Sequence, residues 1–308
     1  TWYNRKTKDI LTTLTLPGTA GNYSYRTNLG TISNKGVEVS LGWRDRIGKD
    51  FTYSISGNYS YNKNNVESIG DNFNFEILGN GGINKTITGS SIGYFYGYNQ
   101  IGIYQSLADI DNMAAMVTSR PGDIAFEDID GDGVITDKDR KNLGTPFPIH
   151  NFGFNVSLGY KGFDFVVEGQ GVAGNKIYTQ RRNATFAVLN YESNRLNAWT
   201  QPGTSNIEPI LDNTRGNNFL FSSYFLEPGD YLRLRTIQLG YNFDSKILGD
   251  KSPIKQMRVY ISGQNIATFT KATGYTPEVS LGNPTSSGAD NGTYPVPAVY
   301  SFGVNLTF

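Results

Sequence analysis

Segments of about ten residues recur along this chain in which apolar side chains strictly alternate with small polar ones. From Phe51 to Asn62, the residues Phe51, Tyr53, Ile55, Gly57, Tyr59 and Tyr61 share one face. Thr52, Ser54, Ser56, Asn58, Ser60 and Asn62 share the other. Successive side chains of a strand point to opposite sides, so period two marks a ribbon with one apolar face. The same pattern runs through Val37–Trp43, Phe152–Tyr160, Phe163–Val167, Ile237–Phe243, Met257–Ile261 and Tyr300–Phe308.

Two kinds of fold use such ribbons, a soluble β-sandwich and a membrane β-barrel. Two features favour the barrel. The polar faces are built from Ser, Asn, Thr and Gly with few long charges, which suits a wet lumen. Aromatic residues also stand at strand ends (Trp43, Tyr160, Phe163, Phe243), the level at which a membrane interface favours amphipathic rings. Composition agrees, with 36 Gly, 20 Tyr and 18 Phe in 308 residues. No apolar run reaches the roughly 20 residues that a spanning helix needs. The 27 basic and 27 acidic side chains balance, so nothing suggests a nucleic-acid partner. There are no cysteines, which a closed barrel does not require.

Connection lengths give a second test. The ribbons predict ten strands, near 1–14, 32–43, 51–66, 80–88, 92–105, 150–160, 163–173, 230–243, 254–268 and 297–308. Short links (44–50, 88–91, 160–162, 244–253) then fall at one end and long ones (15–30, 67–80, 106–149, 174–229, 269–296) at the other. Short periplasmic turns and long extracellular loops are the asymmetry of an outer-membrane barrel. The chain starts at Thr1 without a Met or a secretory leader, and is read as a piece of a longer precursor. Its end, with Tyr300, Phe302, Val304, Leu306 and Phe308 in alternation, is read as the strand that barrel assembly machinery recognises.

Within 106–149, residues 128–139 place Asp128, Asp130 and Asp132 at loop positions 1, 3 and 5, with Gly133 at position 6. This is the spacing of a calcium loop. Asp128, Asp130, Asp132, the Val134 carbonyl, Thr136 and Asp139 are the candidate ligands of a structural calcium ion. Asp139 stands where Glu is usual, and no clear helix precedes Asp128. The alternative is an acidic surface turn. Catalytic signatures are absent: no serine elbow, cysteine nucleophile or phosphate loop occurs. The sole histidine, His150, has no identifiable base or orienting partner. A self-contained outer-membrane barrel with a surface protease or adhesin role stands as the alternative to transport.

A set of motifs in one order resembles the SusC/RagA family of TonB-dependent outer-membrane transporters. It comprises Asn34-Lys35-Gly36-Val37-Glu38, Gly93–Tyr98, Gly102–Gln105, Pro121-Gly122-Asp123-Ile124, Leu143–Pro146, Tyr160–Asp164, Tyr231–Arg235, Leu239-Gly240-Tyr241 and Gly263-Gln264-Asn265. The resemblance implies the C-terminal part of a plugged barrel of about 22 strands. It further implies import of oligosaccharides or peptides, a SusD-like surface lipoprotein as lid, and drive through TonB by a segment outside this sequence. Under it, the loops 106–149, 174–229 and 269–296 form the lid interface. Tyr191, Trp199, Tyr224 and Phe225 are then candidates for substrate or lid contact, against the plainer reading that they pack the loops together.

Overall fold

The computed structural model describes residues 1–15, 24–69, 76–184, 191–243, 249, 253–279 and 281–308. Eight long strands form one antiparallel sheet in simple sequence order. They are β1 (Trp2–Thr15), β2 (Ser24–Ile47), β3 (Phe51–Ile69), β4 (His150–Tyr160), β5 (Phe163–Ala173), β6 (Tyr231–Phe243), β7 (Gln256–Thr270) and β8 (Val299–Thr307). β1 and β8 are the two edges and do not pair with each other, so the sheet is an open stretch of wall.

Register carries the alternation of each ribbon across the whole sheet. Tyr53, Leu158, Phe165, Leu239, Ile261 and Phe302 lie side by side in one lateral row. On the opposite face Ser40, Asn58, Gly153, Gln170, Arg233 and Thr268 form another. One face is therefore apolar from β2 to β8 and the other is polar, and β1 adds Trp2 to the apolar face. The apolar side chains have no protein partner above them: Leu41 is 75% exposed and Phe302 70%.

The strands turn tightly at one end. The Lys161-Gly162 pair, with φ of 44° and 87°, makes the two-residue turn that joins Tyr160 to Phe163. Positive φ at both central positions matches the right-handed twist of the flanking strands. Gly48 (φ 65°) opens the β2–β3 turn. Around these turns Phe51, Tyr160, Phe163 and Tyr241 form a ring of aromatics on the apolar face, with Phe163 and Tyr241 centroids 4.7 Å apart. All long connections leave from the other end.

The all-β barrel-wall class expected from the sequence holds, with a correction to the strand count. Among the described residues the wall has eight strands, not ten: the segments 80–88 and 92–105 belong to the insertion between β3 and β4. Asn84–Thr86 and Tyr94–Tyr98 sit in a small sheet with Ile77–Gly79 and Arg140–Gly144. Tyr94, Phe95, Gly97 and Tyr98 are all buried, so this strand is apolar on both faces and cannot serve as a wall with one wet side. Removing two strands preserves up–down parity, so the links 44–50, 160–162 and 244–253 stay at one end and the long ones at the other, while 88–91, expected among the short links, lies in the cap.

The long connections fold together into a cap. Gln100–Ile103 pairs with Ile124–Phe126, and Lys176–Tyr178 with Leu226–Pro228. A short helix, α1 (Leu107–Asn112), starts at a capping box in which Ser106 and Asp109 bond reciprocally. The molecule's hydrophobic core lies here, around Phe95, Ile124, Phe126, Tyr178 and Phe225.

Candidate functional site

Three features could carry function: the polar face of the wall, the junction of wall and cap, and the acidic loop. The polar face is mostly Ser, Asn, Gln and Gly, and two of its arginines, Arg233 and Arg258, are held in ion pairs. Near the tight turns, Asp164 of β5 accepts from Arg258 of β7 across the intervening β6, at 2.5 and 3.0 Å. The bond spans β6 because Gly240 stands between them; a Cβ there would fall 2.6 Å from Asp164 and 2.7 Å from Arg258.

At the opposite end Arg233 is 2% exposed and donates to Glu278, which hangs from the connection between β7 and β8. Tyr231 also donates to Glu278, at 2.7 Å, and Arg233 donates to Thr268 at 2.9 Å. Burial alone would raise the Glu278 carboxyl. The Tyr231 hydroxyl and the Arg233 guanidinium outweigh it and hold the group below its ordinary range. This pins the last connection onto the polar face. A second set of ion pairs ties the cap internally: Arg181 to Glu192 and Asp290, and Arg182 to Glu227. The sequence analysis missed Arg233–Glu278 and Asp164–Arg258. Their signal was a charged residue among the small polar side chains of one face, where a charge that becomes buried requires a partner.

In the acidic loop, carboxylate oxygens of Asp128, Asp130 and Asp139 lie within 4.8 Å of one another. Gly131 (φ 74°) and Gly133 (φ 81°) supply the turns, and their amides donate to Asp128. Asp139 is wholly buried. Its burial favours the neutral acid, but the amides of Thr136 and Ile129 donate to it and hold it below the usual carboxylate range. Asp132 instead accepts from the Val134 amide, and the Thr136 side chain accepts from the Lys138 amide. Three of the six proposed ligands thus converge. The loop is fixed to the cap by Ile135, which enters the core, and by Tyr98, whose hydroxyl donates to Asp137 at 3.1 Å. Burial, and then the Asp137 charge, pushes Tyr98 up to about 12.

The aromatic candidates separate. Trp199, Tyr224 and Phe225 are inside the cap core, 8%, 5% and 0% exposed, which corrects their assignment to substrate or lid contact. Trp199 packs on Gly122 and donates to Gln105 at 3.0 Å. The Tyr224 hydroxyl donates to Glu208 at 2.6 Å, and burial drives its pKa far above the ordinary tyrosine value. Large rings fill cores as readily as they stack on ligands, and sequence alone does not separate the two uses. Tyr191 remains exposed. Tyr300, Phe302, Val304 and Leu306 lie exposed on β8, on the apolar face of the wall, and Phe308 is exposed just beyond its end. His150 sits on that same face, 2.7 Å from the Tyr59 hydroxyl and stacked on its ring.

Known proteins share this arrangement. No family model matches the chain. The TonB-dependent receptor P3 of Formosa agariphila is 34% identical over the whole chain. TonB-dependent receptor SusC of Bacteroides thetaiotaomicron is 27% identical over 99% of it. The chain spans only 32% and 29% of those two proteins. Among solved structures, the RagAB peptide transporter superposes with a TM-score of 0.80 at 23% identity, covering all of this chain and 33% of that one. These relatives are named as receptors and transporters.

Proposed function

We propose that this chain is a section of barrel wall from a SusC-type TonB-dependent receptor of the bacterial outer membrane and that it serves active import of oligosaccharides or peptides. Its eight strands contribute about a third of a wall of roughly 22 strands. The polar face lines the route. The cap stands at the extracellular mouth, where a SusD-like lipoprotein covers it. TonB acts through parts of the receptor outside this sequence. The observation that carries this reading is the two-faced wall bearing one folded cap at its long-loop end, matched along its whole length to receptors of this kind.

In the acidic loop, Asp128, Asp130 and Asp139 would hold a calcium ion with the Val134 carbonyl. The cation would supply charge compensation and stiffness to the cap, with no part in chemistry. The convergence of three carboxylates and the two positive-φ glycines support this.

The deciding experiment is to isolate the full-length receptor from native membranes and identify every co-purifying polypeptide and small molecule by mass spectrometry. A surface lipoprotein and a bound oligosaccharide or peptide are expected. A complex without a lipoprotein would remove the lid, and cells whose uptake is unaffected by loss of TonB would overturn the import mechanism.

A further inference from the structure

The apolar face ends at a definite height on the extracellular side. β4 has 11 residues and so ten steps from His150 to Tyr160. At about 3.4 Å per residue and a tilt of about 40°, those steps rise roughly 25 Å, the height of the apolar band of outer-membrane barrels. The lower limit is the ring of Phe51, Tyr160, Phe163 and Tyr241. The upper limit is the lateral row of Trp2, Val37, Tyr61 and His150.

The next outward-facing pair above that row is Lys35 and Lys63, which stand directly opposite each other on β2 and β3. Both are exposed, while their neighbours Gly36, Asn62 and Asn64 turn inward. Like charges in register across two strands destabilise a sheet. Lys6 lies one further pair up, and its link to Glu67 is the one ion pair on this patch among the described residues. Glu67 also attracts Lys35 at longer range, so one carboxylate faces the three lysines Lys6, Lys35 and Lys63, and the patch stays net positive at the level of the outer-leaflet headgroups. Beside Lys63 a groove opens between β3 and the cap, lined by Ser90, Ser91, Asn142 and Thr145.

We infer that Lys35 and Lys63 form a docking site for the phosphate of an outer-leaflet glycolipid, with its acyl chains on the apolar face below and its sugar against the hydroxyl and amide groups of the groove. The site faces away from the lumen and lies one and two strands in from the β1 edge. Neither a lid over the mouth nor a neighbouring wall strand would cover it. A compact ammonium is a good partner for a phosphate, and the Tyr61 and His150 rings suit the interface directly beneath.

The test is native mass spectrometry of the full-length receptor, extracted in mild detergent with its retained lipid. Lys35→Gln or Lys63→Gln should lower retained phosphorylated glycolipid about fivefold each, and the double variant roughly twentyfold. Lys35→Arg should keep it. Lys49→Gln, in the turn at the opposite rim, is the charge-matched control and should change nothing. Heat-shifted gel mobility establishes that each barrel is folded. Two further arms identify the source: glycolipid stripped of phosphate should not rebind, and millimolar inorganic phosphate alone should not occupy the site. Equal retention by the double variant, or equal rebinding of the dephosphorylated lipid, would overturn the proposal.

Discussion

At the scale of single residues, the decisive positions are those where chemistry and backbone are fixed together. Gly162 is one: its φ of 87° is left-handed, and a Cβ there would stand 2.9 Å from the Asn242 carbonyl. A Gly162→Val change should cost roughly 1–3 kcal/mol, read as a lower temperature for loss of the compact, heat-modifiable band of the full-length receptor. No shift would mean the turn relaxes freely. The turn at 160–162 was legible in the sequence because two period-two ribbons are separated there only by Lys161 and Gly162. In the acidic loop the spacing was legible, but not which carboxylates converge. That depends on Asp139 being drawn inward by the Thr136 and Ile129 amides while Asp132 bonds its own turn. Calorimetry should detect calcium binding to the receptor that is abolished in the Asp128→Ala, Asp130→Ala variant. Binding that survives the double change would place the ion elsewhere.

At the scale of elements, wall and cap are stabilised by different means. The wall's apolar face is exposed to lipid and gains little from packing against protein, whereas the cap has its own dry core. Trp199→Ala should therefore loosen the cap by about 3–5 kcal/mol while the wall persists. The expected result is proteolysis within 174–230 with the heat-modifiable band unchanged; simultaneous loss of both would show one cooperative unit. The cap's attachment through Glu278 is acid-sensitive. Its carboxyl titrates below the ordinary value of 4.5 in the folded state. The stabilisation is therefore complete above about pH 4.5 and fades as pH falls through the lowered folded value. Hydrogen exchange in 271–298 should accelerate below pH 4.5, and Glu278→Gln should show that faster exchange at neutral pH. An unchanged profile in the variant would refute the anchor. Seven of the eight wall strands were legible because lipid and water impose period two on them; β1, which reads Trp2-Tyr3-Asn4-Arg5-Lys6-Thr7, lacks that alternation. The strands of the cap were not: Tyr94–Tyr98 is buried on both faces, and a short aromatic run carries no period that distinguishes wall from core.

At the scale of the molecule, the question is what closes the wall. Eight strands can form a small barrel by themselves, but its interior would be filled by side chains. Here the polar face is lined by Ser, Asn and Gly and leaves an open concavity, and β1 does not meet β8. β1, of 14 residues, and β8, of 9, therefore each have one side on which the backbone pairs with no other strand of this sheet. In hydrocarbon every backbone polar group must be satisfied, so an isolated open wall is driven to pair with whatever edge it meets. The chain refolded alone in detergent should accordingly associate through β1 and β8, giving oligomers by light scattering and no heat-modifiable monomer. The full-length receptor, whose further strands complete the circle, should be a discrete barrel. Amide exchange on β1 and β8 separates the cases: protection that rises with protein concentration marks edge-to-edge pairing between chains. A monodisperse chain with those amides protected at every dilution would instead mean that β1 pairs with β8, and the wall would then be a complete barrel of its own and no section of an importer.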